Sequence, residues 1–108
     1  MFRMLCIITA LGQSGLALAD ILIMNNGDRI TGRLDSISGG KAVFETRYAG
    51  RVFVSVDQID SMLTDDAYTV RLGGDRLSGA FIKDQGEQAL ATRTGIEQLT
   101  LSDIRSAA

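Results

Sequence analysis

The sequence predicts an all-β protein: two tandem four-stranded meanders that form one small barrel- or sandwich-like unit, preceded by a signal peptide. Three observations predict this. A hexapeptide occurs twice, apolar residues alternate with a period of two, and the 108 residues include 12 glycines and no proline. Such a composition favours tight turns between short strands, because glycine adopts positive φ without steric cost. A chain of this length has room for one modest core, so we expect the two meanders to share it.

The first nineteen residues have the three regions of a secretory signal peptide. Arg3 gives a positive start, residues 4–11 are almost wholly apolar, and residues 17–19 read Ala-Leu-Ala. We therefore predict cleavage between Ala19 and Asp20. A retained anchor is the alternative, but this apolar run is much shorter than the ~20 residues that a spanning helix needs. We expect an exported protein without an integral membrane span after cleavage. In a Gram-negative bacterium it would be periplasmic or associated with the outer membrane.

The repeated hexapeptide indicates an internal duplication. Residues 27–32, Gly-Asp-Arg-Ile-Thr-Gly, recur as residues 74–79, Gly-Asp-Arg-Leu-Ser-Gly. Two further pairs of segments match in the same order: 44–47 with 90–93, and 54–59 with 99–104. Three matches in one order are hard to obtain by chance, and the spacing shortens only where loops are trimmed. We divide the chain into a signal peptide (1–19), repeat 1 (20–63), a linker (64–68) and repeat 2 (69–108).

Within repeat 1 the alternation predicts four strands. Ile30, Gly32 and Leu34 share one face, which is typical of a strand with one side in a core. After Val56 the apolar spacing lengthens, which predicts a short helical turn that Asp57 starts and caps. The predicted strands of repeat 1 are 21–24, 30–34, 42–47 and 52–56, and those of repeat 2 are 69–72, 76–82, 88–93 and 98–101, closing at Ile104. The glycines inside strands, Gly32 and Gly79, predict strong coiling or a close approach of backbones.

Composition argues against several classes of function. The formal net charge is -2, and removal of Arg3 with the signal peptide makes it about -3, which opposes nucleic-acid binding. The chain has no histidine, and its one cysteine, Cys6, lies in the signal peptide. The usual constellations for nucleophilic and acid–base catalysis are therefore missing, so we expect no enzyme. No zinc-ligand spacing, calcium loop or phosphate-binding loop is present, so we expect neither a metal nor a cofactor.

Three sets of residues remain as candidates for function. Asp57 and Asp60 are the acidic pair on which a carboxylate-dependent hydrolase would depend. Arg29 and Arg76, related by the repeat, would bind an anion if they converged in one cleft. The third set, Arg47, Tyr48 and Arg51, surrounds one predicted hairpin tip as a cation–aromatic surface. A structural interpretation competes with the arginine pair, because Gly27, Asp28, Gly74 and Asp75 are also residues that turns favour.

The string from Asn26 to Gly32, the turn Gly39-Gly40-Lys41 and the string from Thr46 to Gly50 resemble the N-terminal segment of the salt-induced outer-membrane protein family. The resemblance covers roughly residues 20 to 105. In that family a similar segment follows the signal peptide and precedes a β-rich region that looks like a membrane barrel. We expect this chain to correspond to that segment without the C-terminal barrel, so the resemblance implies nothing about the barrel's function here. The hairpin with Gly-Asp and x-Gly-x-Leu also resembles Sm-type small barrels, although export and acidity oppose an RNA-binding role.

From these observations we expect a non-catalytic module of the bacterial cell envelope that binds a protein or a cell-wall polymer. Exposed strand edges, at Ile21 to Met24 and around Val52 to Val56, are the predicted contact points for an envelope or outer-membrane protein. A periplasmic protein that binds a small ligand or an anion is the alternative. A hydrolase that uses carboxylates is less favoured.

Overall fold

The computed structural model describes residues 20–108, and the predicted signal peptide lies outside the described residues. Within them the fold is all-β: ten strands in one antiparallel sheet, two 3-10 turns and no α-helix. The sheet is not closed. The strands are β1 Asp20–Met24, β2 Arg29–Ser38, β3 Lys41–Thr46, β4 Gly50–Ser55, β5 Ile59–Leu63, β6 Tyr68–Leu72, β7 Asp75–Asp84, β8 Glu87–Thr92, β9 Gly95–Gln98 and β10 Ile104–Ala107, and the 3-10 turns are Val56–Gln58 and Leu101–Asp103.

Each repeat has five strands rather than the predicted four, because β5 and β10 follow the 3-10 turns. Both strands contain a bulge: Asp60 is an extra residue opposite β1, and Arg105 is an extra residue opposite β6. The bulge of β5 puts Ile59 and Met62 on the buried side, three residues apart. In a sequence this spacing resembles a helical turn, which is why the pattern did not predict a strand there.

The two repeats match in register, residue for residue, around their central strands. Strand β1 pairs with β2 and β5, and its counterpart β6 pairs with β7 and β10. At the same position in each hairpin, Asp20 lies opposite Gly32 and Tyr68 lies opposite Gly79. The duplicated sequence therefore encodes a duplicated unit, and Asp20 and Tyr68 are structural equivalents.

The repeats are joined by pairing as well as by packing. Strand β10 of repeat 2 continues the sheet onto β2 of repeat 1, with Ala107 opposite Ile37. In the reciprocal contact, β5 of repeat 1 lies against β7 of repeat 2. Fifteen buried side chains from both repeats form one cluster, centred on large residues such as Phe44, Met62 and Phe81. The predicted shared core is therefore present.

Gly32 and Gly79 allow the close backbone approach that their positions predicted. A β-carbon on Gly32 would overlap the carbonyl oxygen of Glu45 on β3, and one on Gly79 would overlap the carbonyl oxygen of Ala91 on β8. Both glycines are buried. The absence of a side chain at Gly32 and Gly79 therefore lets β2 and β7 approach β3 and β8 closely at these two positions.

Two local predictions after the fourth strands were wrong. The first 3-10 turn begins at Val56 rather than Asp57, and no side chain caps it. In repeat 2 the last predicted strand, 98–101, is displaced, because β9 ends at Gln98 and Leu101 starts the second 3-10 turn. Leu101 is buried as Val56 is, so the apolar residue in each case closes the core from a 3-10 turn.

Candidate functional site

Three strands have a single ladder neighbour within residues 20–108: β4 and β5 in repeat 1, and β9 in repeat 2. The outer side of β5 is occupied, because the Gln88 side chain accepts from the Met62 N–H at 2.7 Å and donates to the Met62 carbonyl oxygen at 2.9 Å. The open edges of the sheet are therefore those of β4 and β9.

Beyond the β3–β4 ladder, the Val56 N–H donates to the Gly40 carbonyl oxygen at 2.9 Å. Because hydrogen-bonded pairs alternate in an antiparallel ladder, the N–H and C=O groups of Arg51 and Phe53 point away from β3. Neither residue has another backbone partner among residues 20–108. We call this row of groups the free β4 edge.

The two edge strands differ in what they present. Strand β4 has six residues, and Phe53 at its centre has 66% of its surface exposed. Strand β9 has four residues and carries the acidic Glu97. Each strand carries one charged residue, Arg51 on β4 and Glu97 on β9, and β9 also has an exposed apolar residue, Ile96, at 53%. Short length protects an edge from pairing with other chains, and β9 is the shorter of the two strands. The free β4 edge is therefore the more open to an added strand.

The predicted edge from Ile21 to Met24 is not an edge. These residues belong to β1, which has β2 on one side and β5 on the other. The prediction was wrong because the bulge at Asp60 gives β5 the apolar spacing of a helical turn, so the sequence does not reveal the second neighbour of β1. Of the two predicted edges, the one around Val52 is an end of the sheet.

Three of the candidate residues meet in one cleft of about 440 Å³ between the start of β2 and the β3–β4 hairpin tip. Arg29, Arg47 and Tyr48 line it, together with Ile30, Thr31, Thr46 and Ala49. We call it the arginine cleft. Neither guanidinium is in an ion pair or a side-chain hydrogen bond within the described part of the chain. Thr46 holds the tip in place, since its hydroxyl donates to the Gly50 carbonyl oxygen at 2.8 Å and accepts from the Ala49 N–H at 2.9 Å.

The remaining two arginines of the prediction lie elsewhere. Arg51 is on β4 and forms an exposed ion pair with Asp35 at 3.5 Å. Arg76 is on β7, opposite Arg71 of β6, and does not line the arginine cleft. The repeat relates Arg29 to Arg76 but places them in separate hairpins, so the structure brings Arg29 together with Arg47 instead.

The turn residues have structural tasks in repeat 1. Gly27 has a φ of +94°, and the Asn26 side chain accepts from the Asp28 N–H while donating to the Asp28 carboxylate, both at 3.0 Å. In repeat 2 the loop of the hairpin is one residue shorter and consists of Gly73 and Gly74. Asp75 is the first residue of β7, whereas Asp28 precedes the first residue of β2.

The acidic pair, Asp57 and Asp60, lies in a shallow cleft of about 330 Å³ between the two 3-10 turns, which Glu87 also lines. Asp60 forms an exposed ion pair with Lys83 of β7 at 3.7 Å. No group of three or more acidic, histidine or cysteine side chains within residues 20–108 is placed to hold a metal ion.

Sequence reasoning missed a polar junction between the repeats, at Asp20 and Tyr68. The Asp20 carboxylate is buried and accepts from the Leu34 N–H at 2.9 Å, the Asp65 N–H at 3.1 Å and the Tyr68 hydroxyl at 3.3 Å. The same hydroxyl lies 2.7 Å from the Leu34 carbonyl oxygen, and with one proton it donates to one acceptor at a time. Burial, then the negative charge and hydrogen bond of Asp20, raise the pKa of Tyr68 well above its usual value of about 10.

The junction supplies hydrogen-bond partners to the backbone of β2 beyond the point where its pairing with β1 ends. Leu34 lies two residues beyond the last β1–β2 pair, Asp20 with Gly32, so its backbone would otherwise lack partners on that side. In repeat 2 the equivalent residue is Phe81, and Thr64 supplies both groups. The Thr64 hydroxyl accepts from the Phe81 N–H at 3.0 Å, and the Thr64 N–H donates to the Phe81 carbonyl oxygen at 2.9 Å. Aligning the strands that precede the repeated glycines would have paired Asp20 with Tyr68, but nothing local indicates that they touch.

No known family model, curated protein or solved structure matches the chain. No helix that is both long and apolar enough to cross a membrane occurs within residues 20–108.

Proposed function

We propose that this protein is a non-catalytic, exported module of the bacterial cell envelope that adds an extended segment of a partner protein to the free β4 edge. The observation that carries the proposal is the contrast between the two open edge strands. Strand β4 has six residues and exposes a phenylalanine ring beside its unpaired backbone groups, whereas β9 has only four residues and exposes the smaller Ile96. The pattern of residues 1–19 supports export, and the resemblance to the salt-induced outer-membrane protein family supports an envelope location.

The chemistry of the edge specifies the partner segment. Residues 47–55, which form the hairpin tip and β4, include Arg47 and Arg51 and no acidic residue. Phe53 presents an exposed ring beside the unpaired backbone groups. A partner strand with apolar residues in alternation and a carboxylate at its end would form main-chain hydrogen bonds, cover Phe53 and place its carboxylate beside Arg51, whose exposed ion pair with Asp35 is long at 3.5 Å.

The test uses a synthetic peptide as the probe. Acetyl-Glu-Val-Thr-Val-Thr-Val-Glu-amide is titrated into the mature protein and followed by amide NMR. We expect the amides of Arg51 and Phe53 to shift and to become protected from exchange, while those of Ile96 and Gln98 on β9 do not. A peptide with lysine in place of glutamate should bind at least about tenfold more weakly, since Arg51 repels it.

A matched pair of proline variants provides the control. Phe53→Pro removes an N–H that faces the free edge and leaves the β3 ladder intact, and Gln98→Pro does the same at the equivalent position of β9. Only Phe53→Pro should abolish binding. The proposal would be contradicted if both proline variants lost peptide binding equally, or if the lysine peptide bound as tightly as the glutamate peptide. A concentration-dependent dimer of the protein that Phe53→Pro disrupts would replace the partner with a second copy of this chain.

A further inference from the structure

The arginine cleft has the composition of an anion site, and its two guanidinium groups form no ion pair within the described residues. Within residues 20–108 the ion pairs are Arg51 with Asp35 and Lys83 with Asp60, so the guanidinium groups of Arg29 and Arg47 have no carboxylate within 4.0 Å. Each guanidinium offers five N–H donors in a planar fork that suits a carboxylate or a phosphate. The two positive groups therefore face a shared cleft with their hydrogen-bonding capacity available.

Tyr48 gives the cleft an aromatic side. Its side chain is 93% exposed, so its ring contributes almost nothing to the core. Ile30 and Ala49 add apolar surface beside it, and Ile30 is partly buried against the core, which fixes the floor of the cleft. The volume of about 440 Å³ lies in the range of small-molecule sites.

We propose that the arginine cleft binds a small organic oxyanion, in which a carboxylate or phosphate group is carried on an aromatic ring or a short apolar chain. The guanidinium groups of Arg29 and Arg47 hold the oxyanion, and the ring of Tyr48 with Ile30 and Ala49 covers the apolar body. This site is separate from the free β4 edge and does not depend on the function proposed for that edge.

Repeat 2 supplies a natural comparison. Arg76 and Arg93 are the counterparts of Arg29 and Arg47, but the β8–β9 turn has only Arg93 and Thr94 between its paired ends. The longer β3–β4 turn holds Arg47, Tyr48 and Ala49. The aromatic residue and the extra length occur only in repeat 1, so the equivalent position in repeat 2 lacks the surface for an apolar body.

The proposal is tested by NMR titration of the mature protein with four probes: phenyl phosphate, benzoate, inorganic phosphate and benzyl alcohol. We expect phenyl phosphate or benzoate to shift the Arg29 and Arg47 side-chain N–H signals and the Tyr48 ring, and the tighter of the two identifies the oxyanion. Benzyl alcohol, which has the ring without the charge, should give no saturable shift. Arg29→Gln and Arg47→Gln should each weaken binding at least about tenfold.

Two further variants separate this site from a general attraction of anions to arginine. Arg76→Gln removes an exposed arginine at the equivalent position of repeat 2 and should leave binding unchanged. Tyr48→Ala should weaken phenyl phosphate or benzoate at least about fivefold and leave inorganic phosphate unchanged. The proposal is overturned if no probe binds, if Arg76→Gln reduces binding as much as Arg29→Gln does, or if benzyl alcohol binds as tightly as the anions. Phe53→Pro should have no effect, so failure of the edge proposal leaves this result interpretable.

Discussion

Repeat 1 and repeat 2 have the same strand order and the same register around their central strands. They differ in their edge strands, in their hairpin tips and in the residues that join one repeat to the other. Their buried glycines, the bulges of β5 and β10, and their 3-10 turns correspond, whereas a further bulge at Asp35 of β2 has no counterpart in β7. The difference teaches that the duplicated features specify the fold, and that functional features are to be sought among the residues that one repeat has and the other lacks.

The largest expected effect concerns a feature that both repeats share. Gly32→Ala and Gly79→Ala each place a β-carbon against a backbone carbonyl, which cannot move without separating two paired strands. Each substitution should lower the free energy of unfolding by about 2–3 kcal/mol, as overpacking does in a tight core. Urea denaturation of the two variants measures this. A cost in one repeat and none in the other would mean that the equivalence of the repeats does not extend to their energetics.

The junction should show an unequal effect. Asp20→Ala removes the buried acceptor of the Leu34 and Asp65 N–H groups. Thr64→Val keeps the side-chain shape and removes a neutral hydroxyl, which accepts from the Phe81 N–H and donates to the Asp66 carbonyl oxygen. We expect a loss of about 1–3 kcal/mol for Asp20→Ala and about 1 kcal/mol for Thr64→Val. Denaturant unfolding at neutral pH would show the order, and a larger cost for Thr64→Val would contradict the assigned roles.

The same junction gives the protein an alkaline dependence of stability. The pKa of Tyr68 is raised in the folded state, so the stability it contributes is complete below the unfolded pKa of about 10 and falls as pH rises above it. Between pH 10 and 12 the wild-type protein should therefore lose more stability than Tyr68→Phe. Parallel melting curves at pH 8 and pH 11 test this, and identical losses in the two proteins would contradict it.

The smallest effect concerns one polar atom. Ser61 Oγ on β5 is buried and has no hydrogen-bond partner in the described structure, while its counterpart Ser106 on β10 is only half-buried. Ser61→Ala should leave stability unchanged or raise it by up to about 1 kcal/mol, since it removes an unsatisfied group. Ser106→Ala should have no measurable effect. A clear loss for Ser61→Ala would show that its hydroxyl has a partner.

Local pattern was sufficient for most of the fold and insufficient for the contacts between repeats. Alternation placed Leu34 and Phe44 in the core and Arg29 outside it, because a strand with one buried face has a period of two. The bulges at Asp60 and Arg105 broke that period, so β5 and β10 were not predicted and β1 was wrongly taken for an edge.

The residues of the candidate site were predicted from the sequence, but their proximity in the fold was not. Arg29 was named for the repeat, and Arg47 and Tyr48 for the hairpin tip, but only the fold shows that they line one cleft. The repeated hexapeptide suggested that Arg76 and Arg29 share one cleft. Because each arginine belongs to its own repeat, the fold places Arg76 on β7, away from the cleft that Arg29 lines. The Asp20 carboxylate and the Tyr68 hydroxyl are 48 positions apart in sequence and meet only because the two repeats pack together.

The most direct test of the central claim, that repeat 1 binds a partner and repeat 2 does not, is site-specific photo-crosslinking in the intact cell. A photoreactive amino acid is placed at position 51 on β4 or at the equivalent position 96 on β9, with and without Phe53→Pro. We expect one predominant adduct from position 51, lost in Phe53→Pro, and mapped to an extended segment that contains an acidic residue. Equal adducts from positions 51 and 96, an adduct insensitive to Phe53→Pro, or no adduct from either position would contradict the claim.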